Sequence, residues 1–145
     1  MWGFTLIVIT MGLCFLAIED GKTKHISLKG LIIWAVLVMI GACFSMDNHL
    51  EGINRLLGLC VGVGCLFISR WSKEGLGYGD SFVICILGIG LGIERLLQVL
   101  CMSFVLCFLY GVFHILIRKM SREDQIAFVP FLFLGFVVVV VGGGL

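Results

Sequence analysis

The sequence predicts an all-α, polytopic membrane protein of about six transmembrane helices, read as one domain over residues 1–145. Three observations predict it. The chain is 61% hydrophobic and only 13% charged, with a mean hydropathy of +1.19, whereas a soluble domain is nearer half apolar and a quarter charged. Its apolar residues gather into six runs, about 2–18, 29–46, 53–70, 81–97, 98–117 and 126–144. Each approaches the ~17–25 residues that cross hydrocarbon as a helix. None alternates as a barrel strand would, and lipid offers no partner to an open backbone, so helices follow. Third, the basic residues divide unevenly between the two sets of connections, which orients the chain.

The first run, opened by Trp2, ends at Glu19-Asp20-Gly21. It lacks the Lys/Arg-rich start and small-residue cleavage site of a signal peptide, so it is expected to be retained. The second follows the basic stretch Lys22–Lys29, and the third closes at Arg70-Trp71. Trp2 and Trp71 fall where interfacial aromatics anchor a helix. The fourth follows the glycine-rich KEGLGYGDSF, and only Glu94 and Arg95 divide it from the fifth. The sixth begins near Phe128 and Pro130, and proline is tolerated in a first turn. Lys22, Lys24, Lys29, Arg70, Lys73, Arg118, Lys119 and Arg122 follow spans one, three and five, against Arg55 and Arg95 after spans two and four. The positive-inside bias makes the odd-numbered loops cytoplasmic and both termini extracytoplasmic.

Several classes are set aside by composition. A net charge of +1 gives no field that would recruit nucleic acid. The seven cysteines lie inside apolar runs without a C-x-x-C pair, and His25, His49 and His114 are scattered without ligand spacing. The cysteines read as small hydrophobes, and neither a disulfide framework nor a zinc site is expected. No cofactor and no metal is required. Gly88, Gly90 and Gly92 form G-x-G-x-G inside an apolar run. That is not the dinucleotide fingerprint; small residues that let helices pack closely explain it.

The acids at helix ends carry the functional signal, because ionisable groups at membrane depth are costly and usually functional. Asp20 closes the first span and Asp80 opens the fourth. Spans two and three form one out-and-back excursion, so both acids return to the same cytoplasmic edge. Two neighbouring carboxyls do not easily ionise together, so one keeps a proton while the other stays charged. The charged one can take a proton from water and the protonated one can polarise a peptide carbonyl. Gly77 and Gly79 lack a Cβ, which frees their backbone and lets another chain approach. Asp80 at a helix N-terminus would also serve as a cap. Glu19 is adjacent to Asp20, but neighbouring helical residues point about 100° apart, so one of the two faces Asp80.

At these residues the chain resembles the type IV prepilin peptidase family, intramembrane aspartic proteases of the G-x-G-D class. Gly77-Tyr78-Gly79-Asp80 matches the family's second catalytic motif. Asp20-Gly-Lys-Thr-Lys-His-Ile26 resembles its first, and Phe128-Val-Pro130-Phe131-Leu-Phe-Leu-Gly135 resembles the opening of its last helix. The resemblance implies a catalytic pair, Asp20 and Asp80, supported by Gly77, Tyr78, Gly79, Phe128 and Pro130. It implies cleavage of short leader peptides from prepilins or pilin-like proteins, at the cytoplasmic face of a bacterial cell membrane. The partner would be a prepilin with a hydrophobic N-terminal helix, lying in the lipid beside the enzyme. Larger relatives carry paired C-x-x-C zinc ligands and a methyltransferase activity; this sequence has no such spacing, so a short, cleavage-only form is expected. Ser27 stands where the family often has proline, and Phe82 stands where many members have lysine.

Two other readings compete. A small transporter or channel component would also hold intramembrane carboxylates, but a conduction path needs polar groups further across, where this sequence offers few. A catalytically inactive pilus-assembly partner would keep the same motifs.

Overall fold

The computed structural model describes residues 2–23, 28–44, 49–71, 77–118 and 128–143. Among them six helices follow in order: α1 Trp2–Thr23, α2 Leu28–Phe44, α3 His49–Trp71, α4 Tyr78–Leu91, α5 Ile93–Arg118 and α6 Val129–Val141. The described residues include no strand. Lys24, His25, Ile26, Ser27, Lys73, Lys119 and Arg122 lie outside the described residues, as do the side chains of Trp2, Lys22 and Arg118.

Three helices, α1, α3 and α5, are long and apolar enough to cross a membrane, and α2, α4 and α6 are apolar but shorter. The multi-pass all-α architecture is as the hydropathy pattern requires. Length separates the helices by role. α4 has 14 residues, about 21 Å at 1.5 Å per residue, against hydrocarbon ~30 Å thick. It is also the central element, packed against α1, α2, α3 and α5. Ser81, Val83–Gly88, Gly90 and Leu91 are all buried. α6 packs on α5 and α1 and completes the wall.

The core joins Ile9, Leu13 and Leu16 of α1, Trp34 and Val38 of α2, Ile84 and Leu87 of α4, Leu96 and Val99 of α5, and Leu132 and Phe136 of α6. Large apolar side chains also cover the outside: Phe15 of α1, Ile33 of α2, Phe67 of α3 and Phe108 of α5 are each at least 60% exposed. Such a surface would be unfavourable in water and is suited to lipid.

With lipid outside and apolar side chains inside, close backbone approach rather than hydrophobic burial must hold the helices together. The tightest crossing is α3 on α4. A Cβ on Gly58 would lie 2.5 Å from the Gly88 carbonyl oxygen, and one on Gly62 would lie 2.5 Å from Cys85 Cα. At the α5–α6 crossing, a Cβ on Gly135 would press into Ser103. Polar side chains return their hydrogen bonds to backbone carbonyls: Trp34 Nε1 donates to Val8 O at 3.2 Å and Thr5 Oγ1 to Gly41 O at 3.3 Å.

One boundary differs from the sequence reading. The fourth and fifth runs were expected at 81–97 and 98–117, divided by Glu94 and Arg95; the break falls instead at Gly92, the single residue between α4 and α5. Gly92 has φ +79° and ψ 171°, a region open essentially to glycine alone. Its N–H closes α4 onto Gly88 O, and its carbonyl accepts the Leu96 N–H that begins α5. Glu94 thereby falls in the first turn of α5, where the helix dipole favours an acid. Charge marks where a membrane helix approaches water, but a one-residue reversal depends on backbone freedom.

Candidate active site

The excursion of α2 and α3 brings the end of α1 and the start of α4 to the same end of the bundle, and α6 also starts there. Asp20 lies in the last turn of α1 and is 6% exposed. Asp80 lies in the first turn of α4 and is half-buried. The two carboxyl groups are close enough for their charges to repel one another. The backbone N–H of Val129, the first residue of α6, donates to the Asp20 carboxyl. The other oxygen, Asp20 Oδ2, is buried and has no hydrogen-bond partner among the described residues. A buried carboxyl oxygen left in that state is costly, and it is available to a water molecule or a substrate.

The local role of the G-x-G-D segment differs from the sequence expectation in two respects. Asp80 does not cap α4. The cap position is Gly77, with no side-chain hydrogen bond to the helix, and Asp80 stands three residues further on. Gly77 has φ −62° and ψ 137°, an extended conformation open to any residue, so backbone freedom is not why glycine is there. Space is: a Cβ at Gly77 would lie 3.3 Å from Asp80 Oδ2. Ser81, fully buried next to the acid, holds the turn by donating to Gly77 O at 3.4 Å and reaches Cys65 O of α3 at 3.5 Å.

The other expected residues are distributed around this end. Tyr78 is exposed, and Gly79 is half-buried inside the helix. Phe128 is half-buried, its ring 5.3 Å from that of Phe104. Pro130 is half-buried in the first turn of α6. Glu19 turns towards α2, where a Cβ on Gly30 would come within 4.0 Å of its Oε2, while Asp20 faces Asp80. Val129 is the functional candidate that the sequence did not single out, because a main-chain donor leaves no trace in side-chain identity. The nearest signal was Pro130, which removes the neighbouring N–H. Among the described residues no group of three His, Cys, Asp or Glu is placed to hold a metal ion.

The family model that describes the type IV leader peptidase family matches residues 7–112. The chain belongs to the type IV leader peptidase family. The matched stretch contains both Asp20 and Asp80 and ends before Phe128. A prepilin leader peptidase/N-methyltransferase of Xanthomonas campestris pv. campestris is 29% identical over 137 residues, covering 90% of this chain and 47% of its own length. A second protein of that description, from Aeromonas salmonicida strain A449, is 32% identical over 85 residues, covering 54% of this chain and 29% of its own length. The chain thus spans at most about half the length of these curated relatives. No solved structure matches it.

Proposed function

We propose that this chain is a membrane aspartic endopeptidase that removes the short leader peptide of type IV prepilins or pilin-like proteins. One observation carries the proposal beyond family membership. Two carboxyls from the opposite ends of a helical excursion meet at one end of the bundle, near enough to influence each other's charge. One of them has a buried oxygen without a hydrogen-bond partner among the described residues. That arrangement supports a dyad of Asp20 and Asp80 in which a single shared proton serves hydrolysis. The relatives named above are described as leader peptidases, which supports prepilin as the substrate class.

The positive-inside pattern supports cleavage at the cytoplasmic face of the cell membrane, with both termini on the other side. The substrate would lie beside the enzyme as a single hydrophobic helix with a short basic leader. Its scissile bond would approach past Gly77, where the missing side chain leaves room beside Asp80 Oδ2.

The test is co-expression with a candidate prepilin and measurement of leader removal by wild type, Asp20→Asn and Asp80→Asn. Wild type is expected to cleave and both variants to fail. Equal cleavage by either variant removes that acid from the mechanism, and no processing of any prepilin from the same genome removes the peptidase reading.

A further inference from the structure

The helices around α4 form a ring that is open at one place. α2 packs on α1, α1 on α6, α6 on α5 and α5 on α3. Among the described residues α2 and α3 do not pack along their lengths. They are joined by Arg55 of α3, which donates to Ala42 O of α2 at the end away from the acids. The two helices therefore bound a wedge that is pinned at one end and unpinned at the other.

α4 supplies the floor of that wedge. It meets α3 through Ser81, Cys85 and Gly88, and its Gly90 faces Ile9 of α1 and Val38 of α2. At about 100° per residue, Tyr78 and Phe82 fall between those two lines of contact, on the open side. They are 58% and 43% exposed, whereas Cys85 and Ile86, one turn deeper, are 8% and 6% exposed. The wedge is open at the level of the acids and closes with depth. One wall carries Met39, a turn before Ala42 on α2; the other carries Leu59 and Leu66, which share a face of α3 with Arg55.

We infer that this wedge between α2 and α3 is where the hydrophobic helix of the substrate docks, against Tyr78 and Phe82 of α4. The inference rests on the prepilin reading above and names the surface that reading requires. A helix of ~20 apolar residues stays in hydrocarbon, so it must approach the acids sideways through lipid. The other neighbours in the ring are packed together, and the wedge alone opens onto the helix that bears Asp80. Docking in lipid depends on close packing rather than on release of water, and two exposed aromatic rings between apolar walls offer such a contact.

The geometry also constrains the substrate. Tyr78 and Phe82 each lie about 3 Å along the axis from Asp80 but about 160–200° around it. The docked helix and the reacting bond are thus at one level on opposite sides of α4. The peptide must cross the start of α4, where Gly77 and Gly79 carry no side chains. Covering the ~10 Å width of a helix takes about three extended residues at ~3.3 Å each. The substrate therefore unwinds by roughly one turn next to its scissile bond.

The experiment is site-specific photo-crosslinking in membranes. The full chain carries Asp80→Asn, to retain uncleaved substrate, and is co-expressed with a prepilin from the same genome. Photoreactive p-benzoylphenylalanine replaces Phe82 or Met39 in the wedge, or Phe108 or Phe113 on the exposed surface of α5. Prepilin adducts are expected at Phe82 and Met39 and only background at the two α5 positions. In a chain with both aspartates intact, Leu66→Trp narrows the wedge and should raise KM for the prepilin several-fold while kcat is retained. The inference is overturned if the prepilin is captured from α5 instead, or if Phe82 captures only lipid or a second copy of this chain. A loss confined to kcat in Leu66→Trp overturns it as well. Cleavage by the intact chain without wedge adducts leaves the peptidase reading standing and removes the docking surface. Wedge adducts without any cleavage do the reverse.

Discussion

Buried charge is handled in opposite ways at the two ends of the bundle. At one end Arg55, in the second turn of α3, is as deeply buried as Asp20, each 6% exposed. Its guanidinium donates to Ala42 O near the end of α2 and lies 4.0 Å from Glu51 Oε2. The cation therefore meets a helix C-terminus, where the dipole favours it, and it ties α2 to α3. At the other end, among the described residues, Asp20 has one hydrogen bond, one oxygen without a partner and a second carboxyl nearby. A buried charge that is held by partners maintains a fold. A buried charge short of partners is poised to react, and the energy that leaves it so must come from packing elsewhere.

Substitutions can break this comparison or sharpen it. The largest effect is expected at the acid end: Asp20→Asn and Asp80→Asn should each lower leader cleavage by about 10²–10⁴-fold. Thermal unfolding in detergent should show their stability retained or increased, because each removes a carboxyl that burial disfavours. A large fall in melting temperature would mean that the acids are structural and that the contrast between the ends is false.

Next comes the packing that supports both ends. Gly88→Leu places a side chain against the Gly58 backbone, where even a Cβ has no room. It should destabilise the protein by ~1–3 kcal/mol or more and lower activity as α4 is displaced. Retained stability and activity would show that the α3–α4 approach does not position Asp80.

Arg55→Met should destabilise by about 2 kcal/mol, mainly through the lost charged hydrogen bond to Ala42. The Glu51 contribution is small because that carboxylate is half exposed. The pH profile of cleavage should not move, and a shifted profile would couple the two ends. The smallest effect is expected at Gly77→Ala. Its Cβ meets Asp80 Oδ2 at 3.3 Å, so a few tenths of an ångström of adjustment should reduce kcat/KM by less than about tenfold. An unchanged rate would remove Gly77 from the substrate's path.

The contrast also explains what could be read from the sequence. Six apolar runs are a strong signal, and the helices formed where hydropathy placed them. The break between α4 and α5 was misplaced because Glu94 and Arg95 are conspicuous in an apolar context, while Gly92 is one glycine among several and its left-handed φ is invisible in sequence. Asp20 and Asp80 stood out because carboxylates are rare in such a chain, and the even number of crossings between them implied their return to one edge. The backbone supplied what composition could not express. Val129 is an ordinary valine whose N–H reaches Asp20, and a main-chain donor is not written in side-chain identity. Gly77 attracted attention for conformational freedom and close approach; its backbone is ordinary, and what its missing Cβ leaves is space beside Asp80 Oδ2.

The shortness of α4 has a consequence for where the reaction takes place. A central helix of 14 residues surrounded by longer ones does not reach both faces of a bilayer ~30 Å thick. Because Asp80 is fixed to that helix, lipid thickness becomes a variable of the chemistry. A thinner bilayer brings the lipid–water boundary towards the acids, and a thicker one draws it away, each at modest elastic cost. Reconstitution in short-chain and long-chain phospholipid should accordingly alter the rate of peptide hydrolysis while leaving the protein's own contacts unchanged. For the peptidase proposed above, the membrane would be part of the path by which water reaches the acids.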